Sequence, residues 1–202
     1  MRGTCSCRII KLTIITKVVN WVNMKTNFDK KKALGVFAQY GFRKTSVGDV
    51  ASAVGLSRQS LYKKFGSKEE LFQTIIEEYS EEVGLQALDI LEEKTNDSKS
   101  RILRALDTII GQHVDLMRSS VHGAELVQMG EQVMSAVGKD IMPRVMLKIA
   151  DVILETHENR SKEQAEDDAF ILYTLAKGLS LTVSNYAEYK SGITRAVNRL
   201  LD

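Results

Sequence analysis

A single proline, Pro143, stands among 202 residues. Proline removes a backbone donor and breaks helices, so its near absence leaves the chain free to stay helical over most of its length. The 13 glycines supply most of the breaks. Between them, apolar residues recur at i, i+3, i+4 and i+7, the spacing of a helix with one buried face. The expected class is all-α, with an N-terminal three-helix unit followed by a larger helical body. With 44% hydrophobic residues, a chain of this length can bury a core.

The net charge of +2 hides an uneven distribution. Residues 1–68 hold 14 Lys and Arg against two acids, Asp29 and Asp49, while the remainder holds 14 basic and 24 acidic residues. A basic third joined to an acidic body implies two modules with different partners. The natural partner of the first is a polyanion, because cations that contact phosphates release counterions.

The first 23 residues carry no acid and crowd β-branched side chains between 9 and 22. They lack the clean apolar run of a secretion signal. They read as a dispensable tail, or as an extension preceding a start at Met24. From there the expected division is a DNA-binding domain over 24–83 and a body over 84–202.

The segment "TSVGDVASAVGLSRQSLYKKF" makes the function class specific. Ser46 and Asp49 have capping-box spacing, and Val47, Val50, Ala51 and Val54 form one apolar stripe. Gly55 ends that helix, Leu56 plugs the corner, and Ser57 caps the next helix. Two short helices joined by a glycine turn, the second one basic, make a helix-turn-helix over 46–65. In that motif the second helix enters the DNA major groove, and its first residues reach base edges. Arg58, Gln59 and Ser60 occupy those positions. Arg pairs two-pronged with guanine, and Gln with adenine. Tyr62 offers a hydroxyl to the backbone or a ring to a thymine methyl, and Lys63 and Lys64 suit phosphate. Lys68 lies in the first turn of the following helix, which Ser67 and Glu70 cap, and it suits a phosphate held at that helix terminus.

The stretch from Ala33 to Tyr79 resembles the DNA-binding domain of the TetR family of transcriptional regulators. The matching residues are Phe37, Gly41, Phe42, Thr45-Ser46-Val47, Asp49-Val50-Ala51, Gly55-Leu56-Ser57, Leu61-Tyr62, Phe65 and Ser67-Lys68-Glu69. With Cys5 and Cys7 the only cysteines and too close to frame a fold by disulfide, a reducing cytoplasm is the expected setting, with the protein nucleoid-associated. The resemblance implies a homodimer. It would bind a palindromic operator in double-stranded DNA as a repressor and be released by a small-molecule effector. It also implies base contacts from Arg58, Gln59, Ser60 and Tyr62, and phosphate contacts from Thr45, Ser46 and Lys68. One departure is Gly48, where many members carry a long side chain. The alternative output for the same fold is an architectural or cell-cycle role exerted through protein partners.

The body reads as helices at about 67–94, 99–118, 121–137, 142–158, 162–186 and 189–201, with Gly84 as a kink or break in the first. Ile193, Ala196, Val197, Leu200 and Leu201 repeat at helical spacing. That stripe fits either a dimer interface or the chain's own core. Met117, Met129, Met134, Met142 and Met146 suit an adaptable pocket or plain core, and His113 and Glu125 are polar residues able to orient a ligand or face water. No pocket residue is singled out. Cys5 and Cys7 have no nearby partner for a metal, and His113, His122 and His157 stand apart. No nucleophile–base pair, phosphate loop or metal cluster appears at motif spacing, so neither an enzyme nor a cofactor is expected. No apolar run reaches the roughly 20 residues of a membrane span.

Overall fold

A computed structural model describes residues 29–94, 97–138, 140–157 and 159–202. The expectations for residues 1–23 therefore lie outside the described residues. The described chain is all-α, as the sparse breakers require. In order, the helices are α1 (Lys30–Tyr40), α2 (Val47–Ala53), α3 (Arg58–Phe65), α4 (Lys68–Glu92), α5 (Ser98–Ile109), a 3-10 turn (Gly111–His113), α6 (Val114–Arg118), α7 (Gly123–Val137), α8 (Met142–Leu154), α9 (Lys162–Thr182) and α10 (Tyr186–Leu201).

Two apolar cores are present among the described residues. The first joins α1, α2, α3 and the N-terminal half of α4, through Phe37, Val50, Leu61, Leu71, Phe72 and Ile75. Phe37, Phe42 and Phe72 meet there, with ring centroids 5.1–5.7 Å apart. The second joins the C-terminal half of α4, through Ala87, Leu88 and Leu91, to α5, α8, α9 and α10. Helix α4 thus belongs to both cores. Leu126 of α7 is buried in the first core, and Leu116 and Met117 of α6 pack against it, so the body also leans directly on the DNA-binding unit.

Capping explains most of the boundaries. Ser46 with Asp49, and Ser67 with Glu70, form reciprocal capping boxes on α2 and α4. Hydrogen bonds within the Ser46–Asp49 box, from backbone and side chain, hold the Asp49 carboxyl below its ordinary range. At the other end of α2, the Leu56 N–H donates to Ala51 O at 2.9 Å and the Gly55 N–H to Ser52 O at 3.4 Å. This paired closure requires a left-handed residue at Gly55, whose φ is +70°. Pro143 sits in the first turn of α8, where its missing N–H costs nothing.

Four expectations change in detail. Helix α4 runs unbroken through Gly84. That glycine is instead a point of close approach: a Cβ there would lie 2.3 Å from Ile141 Cγ2. The helix expected at 99–118 breaks after Ile109, where Ile110 leaves helical geometry at φ −130° and the chain tightens into the 3-10 turn. A Cβ on Gly111 would lie 2.5 Å from Tyr189 Cε1, so the break seats α10 against α5. Helix α9 stops at Thr182 rather than 186, because Asn185 caps α10 by accepting from the Glu188 N–H. The C-terminal stripe packs within its own chain: Ile193, Val197 and Leu201 are buried in the second core.

Replacing Gly55 with Ala should destabilise the protein by about 1 kcal/mol, since a side chain pays that order of cost at left-handed φ. Gly48→Ala is the matched control. An added Cβ there meets nothing nearer than Ser46 Oγ at 3.4 Å, so stability should hold or rise slightly. Urea denaturation of both variants checks the pair.

Candidate nucleic-acid interface and adjoining pocket

Helix α3 is anchored by Leu61, which is buried, while Arg58, Gln59, Tyr62 and Lys63 are exposed on its outer side. Ser57 caps the helix by accepting from the Ser60 N–H at 3.0 Å, and the two hydroxyls lie 2.7 Å apart. The Arg58 guanidinium lies over the Tyr62 ring, 5.3 Å from its centroid, with Nη2 donating to Tyr62 Oη at 3.4 Å. This i, i+4 contact lays both side chains along one outer face. Gly48 of α2 faces the same place, since a Cβ there would come 3.8 Å from Arg58 Cδ. Lys64 lies against the Phe65 ring at 4.7 Å.

Three residues named for phosphate contact sit at the foot of this surface. Ser46 is exposed, and its hydroxyl serves the α2 capping box. Thr45 is buried, and its hydroxyl donates to Gly41 O at 2.8 Å. Lys68 folds back over the Phe42 ring and donates to Phe42 O at 2.9 Å and Arg43 O at 3.3 Å. It closes the turn between α1 and α2, a structural duty that the sequence did not signal.

A pocket of about 570 Å³ lies where the two cores meet. Its wall takes Lys31 and Leu34 from α1, Ile76, Tyr79 and Val83 from α4, and residues from the α5–α7 region and α9. Met117, Met134 and Met142 line it, whereas Met129 packs on the first core. Its central polar contact joins Tyr79 Oη and His113 Nε2 at 2.8 Å, with the rings edge to face. Burial, and then the nearby Lys31 charge, push the His113 pKa down to about 4. Burial, then Glu82 and Asp29, push Tyr79 up to about 12. Both groups are therefore neutral at pH 7. At one side Lys177 pairs with Glu131 at 2.5 Å and lies 5.7 Å from the Tyr173 ring centroid. Glu125, the other polar residue noted in the sequence, lies 3.7 Å from His122 and is not among the pocket's lining residues.

Sequence reasoning missed Tyr79 as a pocket group because it falls on the apolar stripe of α4. His113 reaches it across 34 positions only because the chain breaks at Ile110. Lys31, Glu131, Tyr173 and Lys177 carried no local signal at all. Among the described residues, no cluster of His, Cys, Asp or Glu could hold a metal, and no helix is long and apolar enough to cross a membrane.

A small, exposed, capped helix in a helix-turn-helix defines a DNA-binding regulatory domain, and comparison with known proteins agrees. Residues 31–75 match the family model for bacterial regulatory proteins, tetR family. The HTH-type transcriptional regulator YezE of Bacillus subtilis is 38% identical over 61 residues, covering 30% of this chain and 31% of that protein. The transcriptional repressor ComR of Escherichia coli is 38% identical over 48 residues, covering 24% of this chain and 23% of its own. These matches thus span less than a third of either curated relative. The whole fold has counterparts among solved structures. A TetR-family regulator from Rhodococcus sp. superimposes with a TM-score of 0.61 at 18% identity, covering 86% of this chain and 96% of that one. Another, from Mesorhizobium loti, gives 0.59 at 18% identity, covering 85% and 92%. Residues 31–75 thus match the tetR-family regulatory domain, and the chain as a whole shares the fold of these solved regulators.

The depressed His113 pKa has a consequence for stability. Between about pH 6.5 and pH 4 the unfolded chain protonates this histidine while the folded chain does not, so stability falls as pH drops through that window. The contribution is at most about 1.4 kcal/mol per pH unit. His113→Gln should flatten this part of the profile relative to the unaltered protein, as measured by denaturation at a series of pH values.

Proposed function

We propose that this protein is a ligand-responsive transcriptional repressor that binds a palindromic operator as a homodimer and is released when a small molecule fills the pocket. The observation that carries the proposal is the composition of the pocket wall. Helices α1 and α4 contribute to it and also build the core beneath the helix-turn-helix. A molecule held there touches the DNA-binding unit and the body together. The architectural alternative calls for a filled core at this position instead.

In this reading Arg58, Gln59, Ser60 and Tyr62 meet bases. Ser57, Lys63, Lys64, Ser46, Lys68 and the backbone near Thr45 meet the phosphates. Lys68 would have to share its three donors between the Phe42 and Arg43 carbonyls and DNA. A symmetric dimer presents two such helices about 34–36 Å apart, one turn of DNA.

The dimer surface on this reading is the outer face of α9. Phe170, Ile171 and Leu175 are 60%, 49% and 40% exposed there, an apolar stripe that a single chain leaves uncovered. The open face of Gly178 continues the stripe. A second copy set on α9 would cover it through an isologous contact.

Selection of bound sequences from random DNA, followed by anisotropy titration, tests the proposal; failure to enrich a palindrome would refute it. Arg58→Ala should weaken the selected site by about 1–3 kcal/mol and relax preference at one base pair. Equal loss on random DNA would reassign Arg58 to a phosphate.

Leu175→Asp should yield a folded monomer with poor operator affinity, because a lone charge in a closed interface costs several kcal/mol. Light scattering and circular dichroism read the two properties. A Leu175→Asp variant that remains dimeric would move the interface off α9.

A further inference from the structure

Arg58 is the first residue of α3, the end from which a recognition helix reaches base edges. An arginine side chain is long and loses rotamer freedom when it is fixed on a partner. A neighbour that fixes it before DNA arrives removes that cost from binding. The neighbour here is Tyr62, one turn further along the same helix. The Arg58 guanidinium lies over its ring, 5.3 Å from the centroid, and Nη2 donates to its hydroxyl at 3.4 Å. Both side chains are exposed, so core packing does not impose the contact. On the other flank, α2 presents Gly48, which has no side chain to brace the arginine; even a Cβ there would stop 3.8 Å from Arg58 Cδ. Among the described residues, Tyr62 alone hydrogen-bonds the guanidinium.

This contact leaves base reading intact. A guanidinium carries five N–H donors, and Tyr62 engages one of them. Whichever Nη2 proton is used, one two-pronged edge stays open for the O6 and N7 acceptors of a guanine. The Tyr62 ring, in turn, has one face covered by Arg58.

We propose that Tyr62 is the positioning residue for Arg58: it fixes the guanidinium in its base-reading direction, and its part in sequence choice passes through Arg58 rather than through a base of its own. This rests on the reading above, in which Arg58 meets a base, and it refines the role of Tyr62 there. One test needs no DNA. In NMR relaxation of the full chain, the Arg58 Nε–H should be more ordered than that of Arg43, also an exposed arginine, and Tyr62→Leu should bring it down to the Arg43 level. An Arg58 Nε–H as mobile as that of Arg43 in the unaltered protein would overturn the proposal. The second test is anisotropy titration of the selected operator and of variants at the base pair whose preference Arg58→Ala relaxes. Tyr62→Leu should cut discrimination at that pair about three- to fivefold, the scale of one exposed cation–π contact, and should have no further effect once Arg58 is replaced by Ala. Tyr62→Phe, which keeps the ring and loses the hydroxyl, should show a smaller loss at the same pair and guards against a folding defect in the first variant. A loss at a different base pair, or an equal loss in the Arg58→Ala background, would make Tyr62 a DNA contact in its own right and overturn the proposal. Failure to enrich any operator refutes the repressor reading, whereas an operator that lacks these effects refutes only the role of Tyr62.

Discussion

Helix α4 is the member on which the rest of the structure depends. Its first turns, through Leu71, Phe72 and Ile75, complete the core under the helix-turn-helix, and its last turns, through Ala87 and Leu91, complete the core of the body. Both ends are fixed. Ser67 and Glu70 cap the start. At the finish the buried Arg101 donates to the carbonyls of Leu91 and Glu93, at 3.0 and 3.1 Å, and pairs with Glu155. That pairing, with its hydrogen bond, holds the Glu155 carboxyl below its ordinary range. A close-packed helix held at both ends transmits strain rather than absorbing it. Anything that shifts α4 in the body must repack Phe72 against Phe37 and Phe42.

The DNA-binding half was legible in the sequence because its signals are local. Ser46 with Asp49, Gly55 with Leu56, and Ser67 with Glu70 each declare a boundary within three or four residues, and each is realised. The body was less legible where boundaries depend on distant partners. Helix α5 stops near Ile109 because Tyr189 needs the space at Gly111, and nothing near residue 110 announces that. Gly84 looked like a break and is a contact with Ile141. The C-terminal stripe was correctly read as apolar, but periodicity alone gave no means of assigning it to its own core. The exposed stripe on α9 was hidden for the same reason: Leu172 and Ala176 face inward while Ile171 and Leu175 face outward on one continuous apolar helix.

The pocket was the least legible feature, because its wall is assembled from segments as far apart as Lys31 and Leu181. Its position nevertheless follows from the two-core plan. Where α1 and α4 diverge toward the DNA-binding core and α9 remains with the body, side chains cannot fill the gap from either side. Tyr79 and His113 satisfy each other there, while charged side chains such as Lys31, Glu131 and Lys177 stand elsewhere on the wall. In the proposed mechanism, occupancy is felt by α1 and α4 at once, and the recognition helices leave the spacing that the operator demands.

Coupling of this kind is reciprocal: whatever a ligand takes from operator affinity, the operator takes from ligand affinity. The most direct measurement is therefore the dissociation constant of a pocket ligand for the protein alone and for the protein saturated with operator DNA. The account predicts weaker ligand binding on DNA, by the same factor by which the ligand weakens the operator complex. Identical constants in the two titrations would contradict it.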